Sequence, residues 1–280
     1  MSLTMPFRFF LILFLLSSPV WGQEELKAYL DSVKNNAKIS LIIQDLDGTQ
    51  LYMQGSHHKV PSASIIKIPI LYTLFSQAEE GKVSLEEQFV LTQEDIVGGS
   101  GELQHQPVGT SFSLEYLARE MIRISDNTAT NMIIKRIGLF SVNNKMDELG
   151  LETTRLNRLM MDFEAIAAGR QNYTSPAEMN SLLLLLYSSS GLSERLQQGM
   201  IEMLLDCADH ATIRSQLPSG LNVAHKTGTL DYVRGDAGII FSPTPLVISI
   251  FVEDFSSTEE AEEIIGTVAR LAYETYGIEE

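Results

Sequence analysis

The sequence contains little cysteine, few positive charges and no long apolar segment. Cys207 is the only cysteine in 280 residues, so the chain has no internal disulfide and depends on a packed core. Lysine and arginine total 20 against 36 aspartate and glutamate residues, and the formal net charge of −16 argues against nucleic acid as a partner. The histidines lack metal-ligand spacing, and Cys207 with His210 leaves zinc short of ligands, so no metal or other cofactor is expected.

The N-terminal segment is typical of a secretory signal peptide. Arg8 precedes an apolar run from Phe9 to Leu16, and small residues and Gly22 follow it. This run is shorter than the roughly 18 residues that a membrane-spanning helix needs. We therefore predict a signal peptide over residues 1–22 and a periplasmic or secreted protein without a transmembrane anchor.

Helix and strand patterns occur in separate blocks along the chain. An amphipathic helix at "EELKAYLDSVKN" precedes two strands, "KISLIIQDL" and "TQLYMQG", which a turn at Asp47-Gly48 joins into a hairpin. Strand patterns return in "LNVAHKTG", "RGDAGIIFS" and "PLVISIFVED", before a last amphipathic helix. The helices predicted between these strand blocks cover 65–79, 114–124, 129–137, 141–149, 176–188 and 193–205.

This order predicts an α+β fold. The first hairpin pairs with the last three strands in an antiparallel five-stranded sheet with flanking helices, and the central helices form an inserted all-helical lobe. The predicted domains are an α/β lobe over 23–63 and 207–280 and a helical lobe over 64–206. Neither repeats nor a low-complexity linker suggest separate tandem domains. We also expect a monomer.

The apolar segment "PSASIIKIPIL" contains Ser64 three residues before Lys67. On a helix this spacing places both side chains on one face. A desolvated lysine can accept the proton of a serine hydroxyl and make it nucleophilic, and a serine N–H near a helix start is free to stabilise an oxyanion. Alone the pattern is weak, because a chain of this length contains about one S-x-x-K by chance.

Two rarer triplets follow, "SDN" from Ser125 and "KTG" from Lys226, each expected well under ~0.1 times by chance. Ser125 is predicted to be the N-cap of the next helix, facing a cleft. Lys226 is predicted to close a strand, and Thr227, Gly228 and Thr229 let a substrate backbone approach that edge. A plain helix cap and an ordinary strand-to-turn passage are the alternatives.

In this order "SIIK", "SDN" and "KTG" resemble the signature set of class A β-lactamases and penicillin-binding proteins. The segments "ETTRLNR", "YTSPAEM", "IRSQLPSG" and "GDAGIIFS" also resemble family segments. The resemblance implies a β-lactamase/penicillin-binding-protein-like fold. It also implies a serine hydrolase of antibiotic resistance that opens a β-lactam or a D-alanyl peptide through an acyl-enzyme.

The resemblance also assigns roles to the matching residues. Ser64 is the nucleophile and Lys67 takes or relays its proton, while Ser125 passes the proton to the leaving nitrogen, helped by the charge of Lys226. Substrate binding and the oxyanion hole involve the following groups: Asn127 for the side-chain amide, Thr227 and Thr229 for the carboxylate, Gly228 at the strand edge, and the Ser64 and Thr229 N–H groups for the oxyanion.

The sequence departs from the class A pattern in the loop that decides hydrolysis of the acyl-enzyme. The position expected to hold the water-activating glutamate falls on Met160, whose thioether is no base. Asp162 and Glu164 lie close by and are the candidate deacylation bases, unless they are surface carboxylates or partners of Arg158.

Two further positions depart from the family pattern. Asn172 stands where the family usually has an aspartate that pairs with Arg158, so we expect that ion pair to be lost. Ala237 occupies a position often held by a carboxylate-binding arginine. Arg234 or Arg214 is the candidate to take over that role. The alternative is that each of them is an ordinary solvated arginine.

Three functions are compatible with this pattern. The first is a serine β-lactamase-like hydrolase, and the second is a D-alanyl-D-alanine peptidase or slowly deacylating penicillin-binding protein. The third is a penicillin-binding sensor that stays acylated, against which stands the lack of a membrane segment to relay a signal. The observation that separates them is whether a carboxylate lies close enough to Ser64 to reach it through a single water molecule.

Overall fold

The computed structural model describes residues 19–188 and 191–278. Most of the predicted signal peptide, residues 1–18, lies outside the described residues. Within these two ranges, no helix combines the length and apolar character needed to cross a membrane. The strands are β1 Lys38–Asp45, β2 Gln50–Gln54, β3 Val60–Pro61, β4 Gln88–Val90, β5 Ser111–Ser113, β6 Tyr173–Thr174, β7 Val223–Leu230, β8 Val233–Ile240 and β9 Leu246–Glu253. The α-helices are α1 Pro19–Val33, α2 Lys67–Glu79, α3 Leu114–Arg123, α4 Asn127–Ile137, α5 Leu139–Glu148, α6 Phe163–Ala167, α7 Pro176–Tyr187, α8 Glu194–Leu205 and α9 Thr258–Ala272.

The main sheet has five strands in the order β2-β1-β9-β8-β7, and every neighbouring pair is antiparallel. The Asp47-Gly48 hairpin is present, and Gly48 adopts φ +83°, which glycine reaches without steric cost. Strand β9 lies between the N-terminal hairpin and the β8-β7 pair. The predicted α+β class and five-stranded antiparallel sheet are therefore confirmed, and β7 is an edge strand.

The sheet is covered on both faces. On β9, Val247 and Phe251 pack with the central helices, whereas Ile248 and Ile250 pack with α1 and α9. This alternation follows from the two-residue period of a strand. Because both faces are buried, β8 is buried at every position and β9 at all but its last.

The central block is mostly helical but also contains two short ladders, β3-β6 and β4-β5. The predicted helix over 65–79 begins instead as a 3-10 turn, Ala63–Ile66, that continues into α2. The sequence pattern missed α6, whose five residues are too few to show helical periodicity. The boundaries of the two lobes stay a prediction.

Candidate active site

Ser64 lies in the turn that precedes α2, where the structure leaves it half-buried, whereas Lys67 at the start of α2 is completely buried. Strand β7 packs closely against this turn. A Cβ at Gly228 would lie 3.0 Å from the Ala63 Cβ and 3.1 Å from the Ser62 carbonyl oxygen. Glycine at position 228 therefore permits the edge strand to reach the serine.

The Lys67 amine is surrounded by oxygen atoms. Its Nζ lies 3.1 Å from Ser64 Oγ, 2.7 Å from the Ser125 carbonyl oxygen, 3.0 Å from Ser125 Oγ and 3.1 Å from Asn127 Oδ1. The carbonyl and the amide oxygen only accept hydrogen bonds, so they take two N–H groups. The two hydroxyls can donate, and the single lone pair of a neutral amine can accept from one of them at a time.

The electrostatic surroundings favour the same neutral amine. Burial, together with the charge of Lys226, holds the pKa of Lys67 well below its usual range, although Asp126 opposes the shift. Among the described residues no carboxylate forms an ion pair with Lys67. Lys67 is thus suited to accept a proton from Ser64 or Ser125.

Ser125 does not cap α4, so that prediction is wrong. The N-cap is Asp126, whose Oδ1 accepts from the Ala129 N–H at 2.8 Å and whose Oδ2 accepts from the Leu103 N–H at 2.8 Å. The carboxylate thus satisfies two backbone donors. Ser125 adopts φ +60°, a conformation that costs about 1–2 kcal/mol and turns its hydroxyl and carbonyl oxygen toward Lys67.

Asn127 links Lys67 to the glycine-rich segment on the other side of the cleft. Its Nδ2 donates to the Gly98 carbonyl oxygen at 3.2 Å, and its main-chain N–H donates to the Ser100 carbonyl oxygen at 3.0 Å. A Cβ at Gly99 would lie 2.7 Å from Asn127 Nδ2 and 2.9 Å from the Met161 sulfur. The lack of a side chain at Gly99 therefore lets the glycine-rich segment pack closely against Asn127.

Lys226 lies within β7 instead of closing it, so that prediction is wrong. The strand continues to Leu230 because residues 227–230 keep their antiparallel register with β8. The Lys226 amine is buried and donates to the Thr227 carbonyl oxygen at 2.9 Å. Burial lowers the pKa of Lys226, and the charge of Arg234 adds to the shift, while the Cys207, Asp236 and Asp209 groups oppose it.

A cleft of about 330 Å³ brings most of the predicted residues together. Ser64, Ser125 and Lys226 line it with Thr227, Gly228 and Thr229. The cleft also contains Ser100, Arg123, Ile124, Ala208 and Asp209, which lie outside the three motifs. Arg123 and Ile124 directly precede Ser125 in the chain, whereas Ser100, Ala208 and Asp209 come from distant segments that the fold brings to the cleft.

The two candidate deacylation bases lie at the start of α6. Asp162 is the N-cap of this helix and accepts from the Ala165 N–H at 2.9 Å, and Glu164 is exposed. Neither makes a hydrogen bond to Ser64 or Lys67 in the part of the chain that the structure describes. Met160 is buried. Its main-chain N–H donates to Asn131 Oδ1, and its carbonyl oxygen accepts from Asn131 Nδ2.

Arg158 has neutral partners in the same loop. Its guanidinium donates twice to Gln171 Oε1, at 2.9 and 2.6 Å. Asn172 instead accepts from the main-chain N–H of Arg158 at 3.0 Å. Burial lowers the pKa of Arg158, although the charge of Asp162 opposes the shift. The loop thus holds a buried cation through hydrogen bonds to an amide.

We expect Gln171→Glu to raise the free energy of unfolding by about 1 kcal/mol, because a carboxylate gives Arg158 an opposite charge in the present geometry. The Tyr232 hydroxyl, 3.3 Å from Gln171 Nε2, can donate to the second carboxylate oxygen. Urea denaturation measures the change. Gln171→Leu, which removes the acceptor, is expected to have the opposite sign, and a glutamate variant no more stable than the wild type contradicts this account.

Of the two candidate arginines, Arg234 reaches the cleft residues but is already paired. It is buried and donates to Thr229 Oγ1 at 2.9 Å and to Asp209 Oδ2 at 2.8 Å. Glu262 Oε1 lies 2.9 Å from the same guanidinium. Arg214 is in the 3-10 turn Ile213–Gln216 and is not one of the described residues that line the cleft.

A buried ion pair lies on the opposite face of β7 from Lys226. His225 Nδ1 is 2.9 Å from Asp236 Oδ2, which also accepts from the Thr212 hydroxyl at 2.6 Å. Burial disfavours the imidazolium, but Asp236 outweighs this effect and raises the pKa of His225 to about 10. A charged pair therefore lies beneath the strand that carries Lys226.

Known proteins resemble this chain in both sequence and fold. A family model described as the β-lactamase enzyme family matches residues 23–276. The chain is 26% identical over 267 residues to β-lactamase PSE-4 of Pseudomonas aeruginosa, covering 93% of this chain and 92% of that protein. The structure of PBP-A is 32% identical with a TM-score of 0.82, covering 90% of this chain and 94% of that one. A mutant of PBP-A, solved as an acyl-enzyme complex with penicillin G, is 31% identical with a TM-score of 0.82. The match covers 90% of this chain and 96% of that one.

Proposed function

The chain belongs to the β-lactamase enzyme family as a class A β-lactamase-like hydrolase, and from this premise we propose that it opens β-lactam amides through an acyl-enzyme on Ser64. The observation that carries the proposal is the Lys67 amine, buried without an acidic partner among the described residues and 3.1 Å from Ser64 Oγ. A neutral amine there activates the hydroxyl. The acyl-enzyme complex of the PBP-A mutant supports the same reaction.

The proposed reaction begins when Ser64 Oγ attacks the carbonyl carbon and its proton passes to Lys67 Nζ. The resulting oxyanion faces the main-chain N–H groups of Ser64 and Thr229. Collapse of the intermediate breaks the C–N bond, and the leaving nitrogen receives a proton from the Ser125 hydroxyl. Lys67 Nζ, 3.0 Å from Ser125 Oγ, then returns a proton to that hydroxyl.

A second candidate is a D-alanyl-D-alanine peptidase or slowly deacylating penicillin-binding protein. Met160 favours it, because the loop supplies no base at that position and neither Asp162 nor Glu164 contacts Ser64 or Lys67 among the described hydrogen bonds. The similarity to PBP-A is compatible with it. Release of D-alanine from a peptide, measured against steady hydrolysis of a chromogenic cephalosporin, separates the two candidates.

The proposal includes export to the periplasm or the medium and a monomeric state. Support for export comes from the signal-peptide pattern over residues 1–22, and the family match begins at residue 23. Export to that compartment would bring the enzyme to β-lactams and to cell-wall peptides.

Mass spectrometry of the intact protein after incubation with benzylpenicillin tests the proposed acylation. The expected result is a mass increase of one penicillin, located by peptide mapping on the segment that contains Ser64. An adduct on Ser125 would assign the nucleophile to the other hydroxyl beside Lys67. A protein that forms no adduct and hydrolyses no β-lactam would overturn the proposal.

The rate of acylation is expected to rise with pH through an ionisation far below the usual range of a lysine. The charged form of Lys67 has no lone pair for the Ser64 proton, so the rate follows the neutral fraction. Lys226→Gln removes a positive charge that lowers the pKa of Lys67, so the rising limb should move to higher pH. Stopped-flow acylation between about pH 5 and about pH 10 measures it, and an unchanged limb in the variant would assign the ionisation to another group.

A further inference from the structure

The only cysteine of the chain lies beside the buried pair of His225 and Asp236. Cys207 follows α8, and its thiol interacts with the His225 side chain. His225 Nδ1 already lies 3.1 and 2.9 Å from the two Asp236 oxygens, so Nε2 is the ring nitrogen left for the thiol. Nε2 is buried, and no oxygen or nitrogen atom of the described residues is its hydrogen-bond partner.

The carboxylate of this group is itself held in place. Asp236 Oδ2 accepts from the Thr212 hydroxyl at 2.6 Å and from the Ile213 N–H at 3.2 Å. Asp236 and His225 are completely buried, and Cys207 is 1% exposed. The imidazole cannot turn without losing Asp236. A nucleophile, a proton-transfer group and a group that orients it therefore stand in the order that activates a nucleophile in enzymes.

The electrostatic surroundings favour a thiolate beside an imidazolium. Burial opposes ionisation of the thiol, but the hydrogen bond with His225 and the charge of Lys226 outweigh burial and lower the pKa of Cys207, although the charge of Asp236 opposes the shift. His225, with its pKa raised to about 10, carries the proton at neutral pH. The thiolate is the reactive form of cysteine, and the proposed acylation does not use it.

The position of the thiol limits the reagents that can reach it. Its chain neighbours Asp206 and Ala208 are exposed, and Ala208 lines the cleft, so the cover over the sulfur is thin. A bulky electrophile cannot enter such a site, whereas hydrogen peroxide is little larger than water. Because Cys207 is the only cysteine, an oxidised sulfur finds no second thiol in the chain with which to form a disulfide.

We propose that Cys207 is an oxidation site for hydrogen peroxide, with His225 as the acid and Asp236 as a positioning residue. The thiolate sulfur attacks one peroxide oxygen, so that an S–O bond forms and the O–O bond breaks. The sulfur is oxidised and the peroxide is reduced. The leaving hydroxide takes the proton of His225 Nε2, and the products are a sulfenic acid, water and a neutral imidazole. The step does not involve Ser64, so its failure would leave the proposed function intact.

Peroxide treatment of the full chain at about pH 6 tests the proposal, because an ordinary thiol of pKa about 8.5 is less than about 1% thiolate there. Samples are quenched into denaturant with dimedone, which labels a sulfenic acid but not the sulfoxides of the 11 methionines. We expect a label on the peptide that contains Cys207, and we expect His225→Gln to slow its formation at least about tenfold. A wild type without label, or a variant labelled as fast as the wild type, overturns the proposal.

His210→Gln is the matched control. His210 contacts the same cysteine, but its Nε2 lies 3.1 Å from the Cys207 carbonyl oxygen instead of interacting with the thiol. Its rate of labelling is expected to stay within about threefold of the wild type. An equal loss of rate in both histidine variants would overturn the role of His225.

Ultraviolet absorbance covers the case in which His225→Gln fails to fold. A thiolate absorbs where a thiol does not, so at about pH 6 the wild type should exceed Cys207→Ser by the absorbance of one thiolate. Peroxide should remove this difference at the rate at which the label forms. Equal absorbance of the two untreated proteins would show a protonated sulfur and contradict the proposal.

Discussion

A Ser64→Ala variant is expected to form no adduct with a penicillin and to hydrolyse β-lactams about 10⁴-fold more slowly or worse. The hydroxyl that it removes lies 3.1 Å from Lys67 Nζ, and the methyl group that remains cannot attack a carbonyl. Because Ser64 is half-buried at the cleft, its loss leaves little cavity and the variant should stay folded. Mass spectrometry and a thermal melt measure the two effects.

Ser100→Ala provides the matched control for this experiment. Ser100 lines the same cleft but is exposed and makes no described contact with Lys67. Its adduct should form at a rate within about threefold of the wild type. Labelling that survives in Ser64→Ala would move the nucleophile elsewhere, and Ser125 would be examined next.

A Met160→Glu variant is expected to raise the steady rate of β-lactam hydrolysis by about 10²- to 10⁴-fold, the usual contribution of a positioned general base. The wild type should instead show a burst of one equivalent followed by slow turnover, because the loop offers no base at this position. The substitution should leave the burst unchanged, since a base for water serves only the second step. Stopped-flow hydrolysis of a chromogenic cephalosporin resolves both phases.

Met160→Gln separates the effect of a base from that of a changed side chain. Glutamine has nearly the shape of glutamate without its basicity, so turnover should stay slow. Rapid turnover by the wild type without a detectable adduct would refute the expectation. Asp162→Asn and Glu164→Gln would then be tested for loss of that turnover, since these residues are the remaining candidate bases.

Much of the fold follows from local pattern, whereas details of the site depend on tertiary contacts. The Asp47-Gly48 turn predicts its hairpin because the signal is contained in adjacent residues. All three residues of "SDN" are of types that can cap a helix, and the sequence does not decide among them. The choice of Asp126 follows from the Leu103 N–H that it also satisfies.

The electrostatics around the cleft could not be predicted from the motifs. Asp209 and Arg234 meet only because the segment after α8 passes the β7-β8 hairpin. Likewise, the sequence shows that the aspartate expected to pair with Arg158 is absent, but only the structure shows that Gln171 is the new partner. Such contacts join residues whose separation carries no periodic signal.

The position of β9 makes the completion of the fold a late event for a growing chain. Its pairing of Lys38 with Glu253 joins the start and the end of the described sequence. Closing so large a loop is slow compared with forming a local helix. Until β9 arrives, the β1-β2 hairpin is a marginal two-stranded unit with an open edge. A chain that ends before β9 would therefore expose two unpaired strand edges and tend to aggregate, instead of forming a smaller folded protein.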